Sequence, residues 1–124
     1  MDETGARTAL QHYIDHSAAG DDEGAHEIYT ADAVLEFPQS GERFEGVPNF
    51  LEWRRKYPAQ VGFEIRRVRG GEDVWVAEIA VRYDGGPWNH GVGIYEFRGD
   101  KVSRETIYYA EPFDAPDWRA PWRA

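Results

Sequence analysis

The chain has 124 residues, 41% of them hydrophobic and 30% charged, which is the composition of one folded domain with a single core. Its net charge of −9 disfavours nucleic-acid backbones and anionic membrane surfaces as partners, because neither attracts a polyanion. No cysteine is present, so disulfides, thiolate metal sites and cysteine nucleophiles are excluded. The start, Met1 to Gly5, is neither basic nor apolar, so no secretory signal is expected. The longest apolar run, Val74 to Val81, is broken by Glu78 and too short to cross a bilayer. The expectation is a cytoplasmic protein forming a single domain over residues 1–124.

The first third has helical periodicity. Leu10, Tyr13, Ile14 and Ser17 fall at helix spacing, and Gly20 supplies a stop. Asp21 can cap a second, short helix, with Asp22 and Glu23 in its first turn and Ala25, Ile28 and Tyr29 as its apolar side. Ala33 to Phe37 reads as a strand closed by Pro38, Gln39 to Gly41 as a turn, and Glu42 to Glu45 as the return strand. Pro48 suits the first turn of a third helix carrying Phe50, Trp53 and Tyr57 on one face and ending before Pro58. The period then changes. Phe63–Arg69, Asp73–Asp84, Trp88–Arg98 and Lys101–Glu111 are strand-like runs separated by Gly70-Gly71, Asp84-Gly85-Gly86 and Gly99-Asp100. Such short turns predict an antiparallel meander. The tail has three prolines from Pro112 to Pro121 and is expected to be irregular, with Trp118 and Trp122 docked on the body. The fold class is α+β: helices on one side of a curved antiparallel sheet, enclosing a cone with an internal pocket.

This order of elements resembles the nuclear transport factor 2-like fold of ketosteroid isomerases and SnoaL-like polyketide cyclases. The segments Asp32 to Arg43 and Glu105 to Phe113 look like those of bacterial SnoaL-like proteins. The resemblance covers essentially the whole chain and is specific for fold, while the fold itself hosts enzymes, binding modules and dimerisation domains. It implies that Tyr13 occupies the place of the isomerase tyrosine that hydrogen-bonds the substrate oxyanion. Phe37 stands where the isomerases carry their proton-shuttling aspartate, and Gly93 where the second acid belongs. With neither acid present, the resemblance does not extend to steroid isomerisation by that mechanism. A carboxylate-driven aldol cyclisation of the SnoaL type stays open. No counterpart is found for the Asp-Arg-Asp set of limonene-type epoxide hydrolases.

Period two sorts the strands into faces. If Gly93 faces the pocket, so do Asn89, Gly91 and Tyr95, while the same resemblance points Glu105, Ile107 and Tyr109 inward. Trp75, Ala77, Ile79 and Val81 share one face, leaving Glu78 and Arg82 on the other. Tyr13, Trp53, Tyr57 and Phe37 complete the expected walls. Glu105 is the candidate acid/base, because a carboxyl among rings is desolvated and its pKa rises toward a useful range. The plainer alternative is that it pairs with Arg54 or Arg55 and closes one end of the cone. Tyr13 is the second candidate catalytic group, and equally could be a buried tyrosine satisfied by a carboxylate. Phe37, Trp53, Tyr57, Trp75, Asn89, Gly93 and Tyr109 are the expected ligand-binding residues. Asn89 could orient a carbonyl or simply terminate a strand beside Pro87. His90 alternates outward, and a one-residue slip would exchange it with Asn89.

His12 and His16 share a helix face, with His26 on the next helix, but Asp15 lies on a different face and no third ligand stands at metal-site spacing. Surface histidines one turn apart are the ordinary explanation, so no metal and no cofactor are expected. The clusters Arg54-Arg55-Lys56 and Arg66-Arg67 are expected to pair with local carboxylates. Gly91 and Gly93 form no phosphate loop, and would leave space under the sheet for a ligand. Three readings follow. The first is a cofactor-independent isomerase, cyclase or lyase acting on a small apolar carbonyl-bearing metabolite. The second is a binding module with the same pocket. The third is a structural dimer whose cone is filled by its own aromatics. Outward Val74, Val76, Ala80, Val92, Ile94, Val102, Thr106 and Tyr108 predict a homodimer through the convex face, with Glu78, Arg82, His90, Glu96 and Arg104 as a polar rim.

Overall fold

A computed structural model describes residues 1–124. Asp2 starts the first helix, α1 (Glu3–Ala18), by accepting a hydrogen bond from the Gly5 amide at 2.7 Å. The helix buries Ala6 and Leu10, one turn apart, and ends where Gly20 takes a left-handed φ of 77°. Asp21 then caps α2 (Asp22–Ala25) through the Gly24 amide at 3.0 Å. One 3-10 turn, His26–Ile28, follows. Tyr29 belongs to no helix: its backbone is extended, with φ −96° and ψ 151°, and it begins β1 (Tyr29–Phe37). The first strand is therefore four residues longer than its apolar run predicts.

β2 (Glu42–Glu45) returns antiparallel to β1. Pro48 lies in the first turn of α3 (Val47–Arg55), whose buried face carries Phe50. Tyr57 lies beyond the end of α3. The meander comprises β3 (Val61–Gly71), β4 (Val74–Tyr83), β5 (Asn89–Arg98) and β6 (Lys101–Ala110). All six strands form one open sheet in the order β2-β1-β6-β5-β4-β3. β1 joins the meander by parallel pairing with β6. The β3–β4 turn is Glu72-Asp73 rather than Gly70-Gly71, which are paired strand residues. A Cβ on Gly70 would lie 2.2 Å from the Val74 carbonyl oxygen, so that glycine serves close strand approach.

Phe50, Leu35, Val81 and Val102 are the largest fully buried side chains. Val102 corrects the outward assignment. A bulge pairs Glu96 with Arg104 and Phe97 with Val102, leaving Ser103 as the extra residue and turning Val102 into the core. Ala80 is buried as well. The tail also differs from expectation. Asp117–Trp122 forms a short 3-10 helix, with the Arg123 side chain donating to the Pro116 carbonyl at 2.7 Å. Its aromatics are not docked: Phe113, Trp118 and Trp122 are 85%, 71% and 78% exposed. No helix is long and apolar enough to cross a membrane.

Candidate functional site

α1, α3 and the concave face of the sheet surround a cavity of about 850 Å³, lined mostly by apolar side chains. Tyr13, Phe37, Trp53, Tyr57, Glu105 and Tyr109 all line it. The rings pack on one another. Trp53 stacks on Phe44 at 5.2 Å, meets Phe37 edge-on at 5.8 Å, and Phe37 lies 6.3 Å from Tyr109. Such a wall is preformed, because each ring is held by its neighbours rather than by the cavity contents.

The polar part of the wall is one network. Glu105 is 4% exposed and points inward from β6. The Tyr29 hydroxyl donates to its Oε1 at 2.6 Å, and Arg54 Nη2 lies 3.6 Å from its Oε2. Arg54 Nη1 donates to Tyr29 Oη at 3.2 Å and to His26 Nε2 at 3.0 Å. His26 Nδ1 donates to the Asp22 carbonyl at 2.7 Å, which leaves Nε2 free to accept and fixes the imidazole as the neutral Nδ1–H form. Burial, reinforced by the Arg54 charge, lowers the His26 pKa to about 4, in agreement with that geometry. Arg54 is the cation because it lies one turn beyond Phe50, on the buried face of α3. Arg55, turned away, sits 3.5 Å from Glu23.

Burial pushes the Glu105 carboxyl above its usual range; Arg54 and the Tyr29 hydroxyl pull it down without cancelling the effect. Burial works against the Arg54 charge too, but Tyr13, Tyr29 and Glu105 together hold its pKa well above the guanidinium value. Tyr13, Tyr29, Tyr95 and Tyr109 are all raised, burial being the largest cause in each, so they remain protonated donors. Tyr29 spends its proton on Glu105. The Tyr13 hydroxyl makes no hydrogen bond within the protein, while the Arg54 guanidinium lies 5.2 Å from its ring centroid. The arrangement offers a carboxyl of raised pKa, a fixed cation and unengaged phenol donors inside an apolar chamber. These are parts suited to moving a proton at a carbonyl-bearing molecule.

Three expected ligand-binding residues lie outside the lining. Trp75 lies near the start of β4, beside the β3–β4 turn, and is buried in the core with Nε1 donating to the Glu72 carbonyl at 3.0 Å. Gly93 is covered, since the Tyr95 ring lies over it, and Gly91 is likewise filled by Ile79 and Tyr109. The two glycines therefore leave room for neighbouring side chains rather than for a ligand. Asn89 is the first residue of β5, at the sheet end beyond Gly91 and outside the lining. Arg82, assigned to the convex face, borders the cavity and stacks its guanidinium 4.4 Å from the Trp88 centroid. Tyr29 and His26 escape a reading from sequence. Tyr29 reaches Glu105 only because β1 and β6 pair in parallel, 76 residues apart in the chain.

The remaining histidines are engaged locally: His12 Nε2 with the Gly24 carbonyl at 2.8 Å, His16 Nδ1 with Asp21 at 2.8 Å. No group of three His, Asp or Glu side chains is placed to hold a metal ion. Lys56 pairs with Glu52, whereas Arg66 and Arg67, contrary to expectation, stand exposed on β3 without a carboxylate partner.

Residues 10–105 match the model of the SnoaL-like domain. Among solved structures, an NTF-2 like protein of unknown function from Burkholderia xenovorans LB400 is 41% identical, with 98% of this chain and 95% of that one covered at a TM-score of 0.88. A candidate ketosteroid isomerase from Kribbella flavida is 22% identical over 99% of this chain and 90% of that one, at a TM-score of 0.84. An LEH-like epoxide hydrolase from M. tuberculosis is 19% identical over 87% and 84%, at a TM-score of 0.71; both likenesses show the fold alone. No curated protein matches the chain. The family match spans most of the sequence, and the 41% identical structure shares the fold over nearly the whole chain: the protein belongs to the SnoaL-like family of the nuclear transport factor 2-like superfamily.

Proposed function

We propose that the cavity binds a small, largely apolar, carbonyl-bearing molecule and that Glu105 moves a proton on it without a cofactor. Isomerisation, cyclisation or lyase-type chemistry would all suit such a site. The observation that carries the reading is the raised, desolvated Glu105 carboxyl facing an aromatic chamber large enough for a ligand. Tyr13 would donate to the oxygen on which negative charge develops, with Arg54 keeping the wall electropositive beside it. Isomerase, cyclase and hydrolase descriptions among proteins of this fold are compatible with the proposal. A cone filled by its own aromatics predicts no such cavity, so the purely structural reading has less support.

A second reading, a binding module without turnover, is favoured by one specific observation: Glu105 already has a cationic partner in Arg54 at 3.6 Å. The two separate experimentally. The protein is exposed to a metabolite extract, the retained compound is identified by mass spectrometry, and its fate is followed with wild type and Glu105→Gln. The enzymatic reading expects both proteins to retain the compound and only the wild type to convert it. Full conversion by Glu105→Gln removes that reading.

Assembly belongs to the same proposal. Val74, Val92 and Tyr108 are exposed on the convex face of the meander, with Val76 and Ile94 half-buried beside them. A second copy about a two-fold axis would cover them. Light scattering at micromolar concentration should give a dimer; a strict monomer defeats this part. Cell fractionation tests the expected cytoplasmic location in the same preparation.

A further inference from the structure

Gly93 lies inside β5 with an ordinary strand backbone, so conformational freedom does not explain a glycine there. Space does. A Cβ at this position would fall 2.6 Å from both Cε2 and the hydroxyl oxygen of Tyr95, and 2.8 Å from its Cζ. The Tyr95 ring therefore bends back along its own strand and lies over Gly93, two residues earlier on the same face. No residue with a side chain would allow that pose without moving the ring. Tyr95 is also the strand partner of Glu105, so its ring belongs to the same wall as the buried carboxyl, with the hydroxyl lying back over Gly93.

That hydroxyl is unengaged. The Tyr95 residue is only 6% exposed, yet no hydrogen bond within the protein uses its oxygen. Thr30 Oγ1 and Trp53 Nε1 are the polar side-chain atoms both sealed from solvent and without a partner. The Tyr95 oxygen is not among them, so it is reached from the cavity it lines. Burial, supported by the Glu105 charge, keeps it protonated and thus a donor. A buried donor without an acceptor is costly unless something entering the cavity accepts from it.

We propose that Tyr95 is a ligand-binding residue whose hydroxyl donates a hydrogen bond to an oxygen of the bound molecule, and that Gly93 is the positioning residue that aims it. The inference rests on the reading of the cavity as a small-molecule site and narrows the ligand class. The occupant is a mostly apolar molecule carrying an acceptor oxygen within reach of the Tyr95 hydroxyl.

Two probes of the same shape test it: 2-acetylnaphthalene, which has a carbonyl oxygen, and 2-isopropenylnaphthalene, which has a methylene in its place. Binding is titrated by NMR with wild type, Tyr95→Phe, Gly93→Ala and the double variant. Tyr95→Phe should weaken the ketone about fivefold and leave the hydrocarbon within about twofold, the loss of one neutral hydrogen bond. Gly93→Ala should lose the same preference for the ketone. The double variant should show the same ketone-to-hydrocarbon ratio as Tyr95→Phe, because once the hydroxyl is gone the displaced ring has no further preference to lose. A purely structural role would weaken both probes alike and leave their ratio unchanged, which overturns the proposal while leaving the cavity a binding site. If wild type binds neither probe, the small-molecule reading falls and this inference with it.

Discussion

The two faces of β5 and β6 carry alternate residues of the same strands and meet opposite fates. On the concave face Tyr95, Phe97, Glu105 and Ile107 are buried, and the charge among them is tied to Tyr29 and Arg54. On the convex face Val92 and Tyr108 are exposed, and the ion pair between Arg104 and Glu96, at 3.7 Å, is open to solvent. Geometry alone does not distinguish the two sets of polar contacts. Dielectric does: the inner carboxyl cannot exchange its partners for water, so each partner matters, whereas the outer pairs can. The inner face is built to hold a charge under constraint, and the outer face is built to be covered or wet.

That contrast predicts effects of graded size. The largest belongs to Arg54→Met, which leaves Glu105 buried without its cation. Urea unfolding at neutral pH should show a loss of about 3 kcal/mol, shrinking in acid as Glu105 takes up a proton. A loss no larger than that of an exposed pair would mean that cavity water screens the network, and the contrast between the faces would collapse.

The next effect is a pH dependence from His26, whose folded pKa, about 4, lies below its ordinary 6.5. Between these values the unfolded chain binds more protons, so acid favours unfolding and stability falls as pH drops through this window. His26→Gln, which cannot titrate but can still accept from Arg54, should flatten that slope by about 2.5 kcal/mol across the window. Glu105 acts with the opposite sign: its raised folded pKa makes stability fall as pH rises above 4.5. The smallest folding effect is expected for Val92→Ser on the convex face, about 0.5 kcal/mol or less per protomer. Its consequence should instead appear as a weaker dimer on dilution, read by light scattering.

How much of this is legible in the sequence follows the range of the interactions involved. The parity of β5 and the inward turn of Glu105 are local, set by period two within one strand, and the structure has Gly91, Gly93 and Tyr95 on the concave face and His90 on the other. Alternation fails at Val102, because a single bulged residue shifts the phase and leaves no mark in composition. Arg54 against Arg55 is a matter of helix phase relative to Phe50, decided only once α3 is docked. Tyr29 and His26 lie beyond any local pattern: they reach Glu105 through a parallel strand pair closed across most of the chain. The exposed tail rings oppose the burial their hydrophobicity favours, and nothing in the packing of this chain covers them. Gly93 shows the same limit from another side. An open position beside a pocket and a cradle for the next ring look alike in sequence, and only the Tyr95 rotamer separates them.

The central claim is that burial outweighs Arg54 and Tyr29 at Glu105, leaving a carboxyl able to hold and release a proton inside the cavity. Titration of the Glu105 carboxyl carbon by NMR in the folded protein, assigned with Glu105→Gln, measures this balance directly. The account predicts a midpoint above the ordinary 4.5 and a further rise in Arg54→Met, where the charge that lowers it is gone. A midpoint at or below 4.5 would contradict it: the ion pair would then dominate, Glu105 would be a permanent anion neutralising Arg54, and the binding reading would stand in place of the enzymatic one.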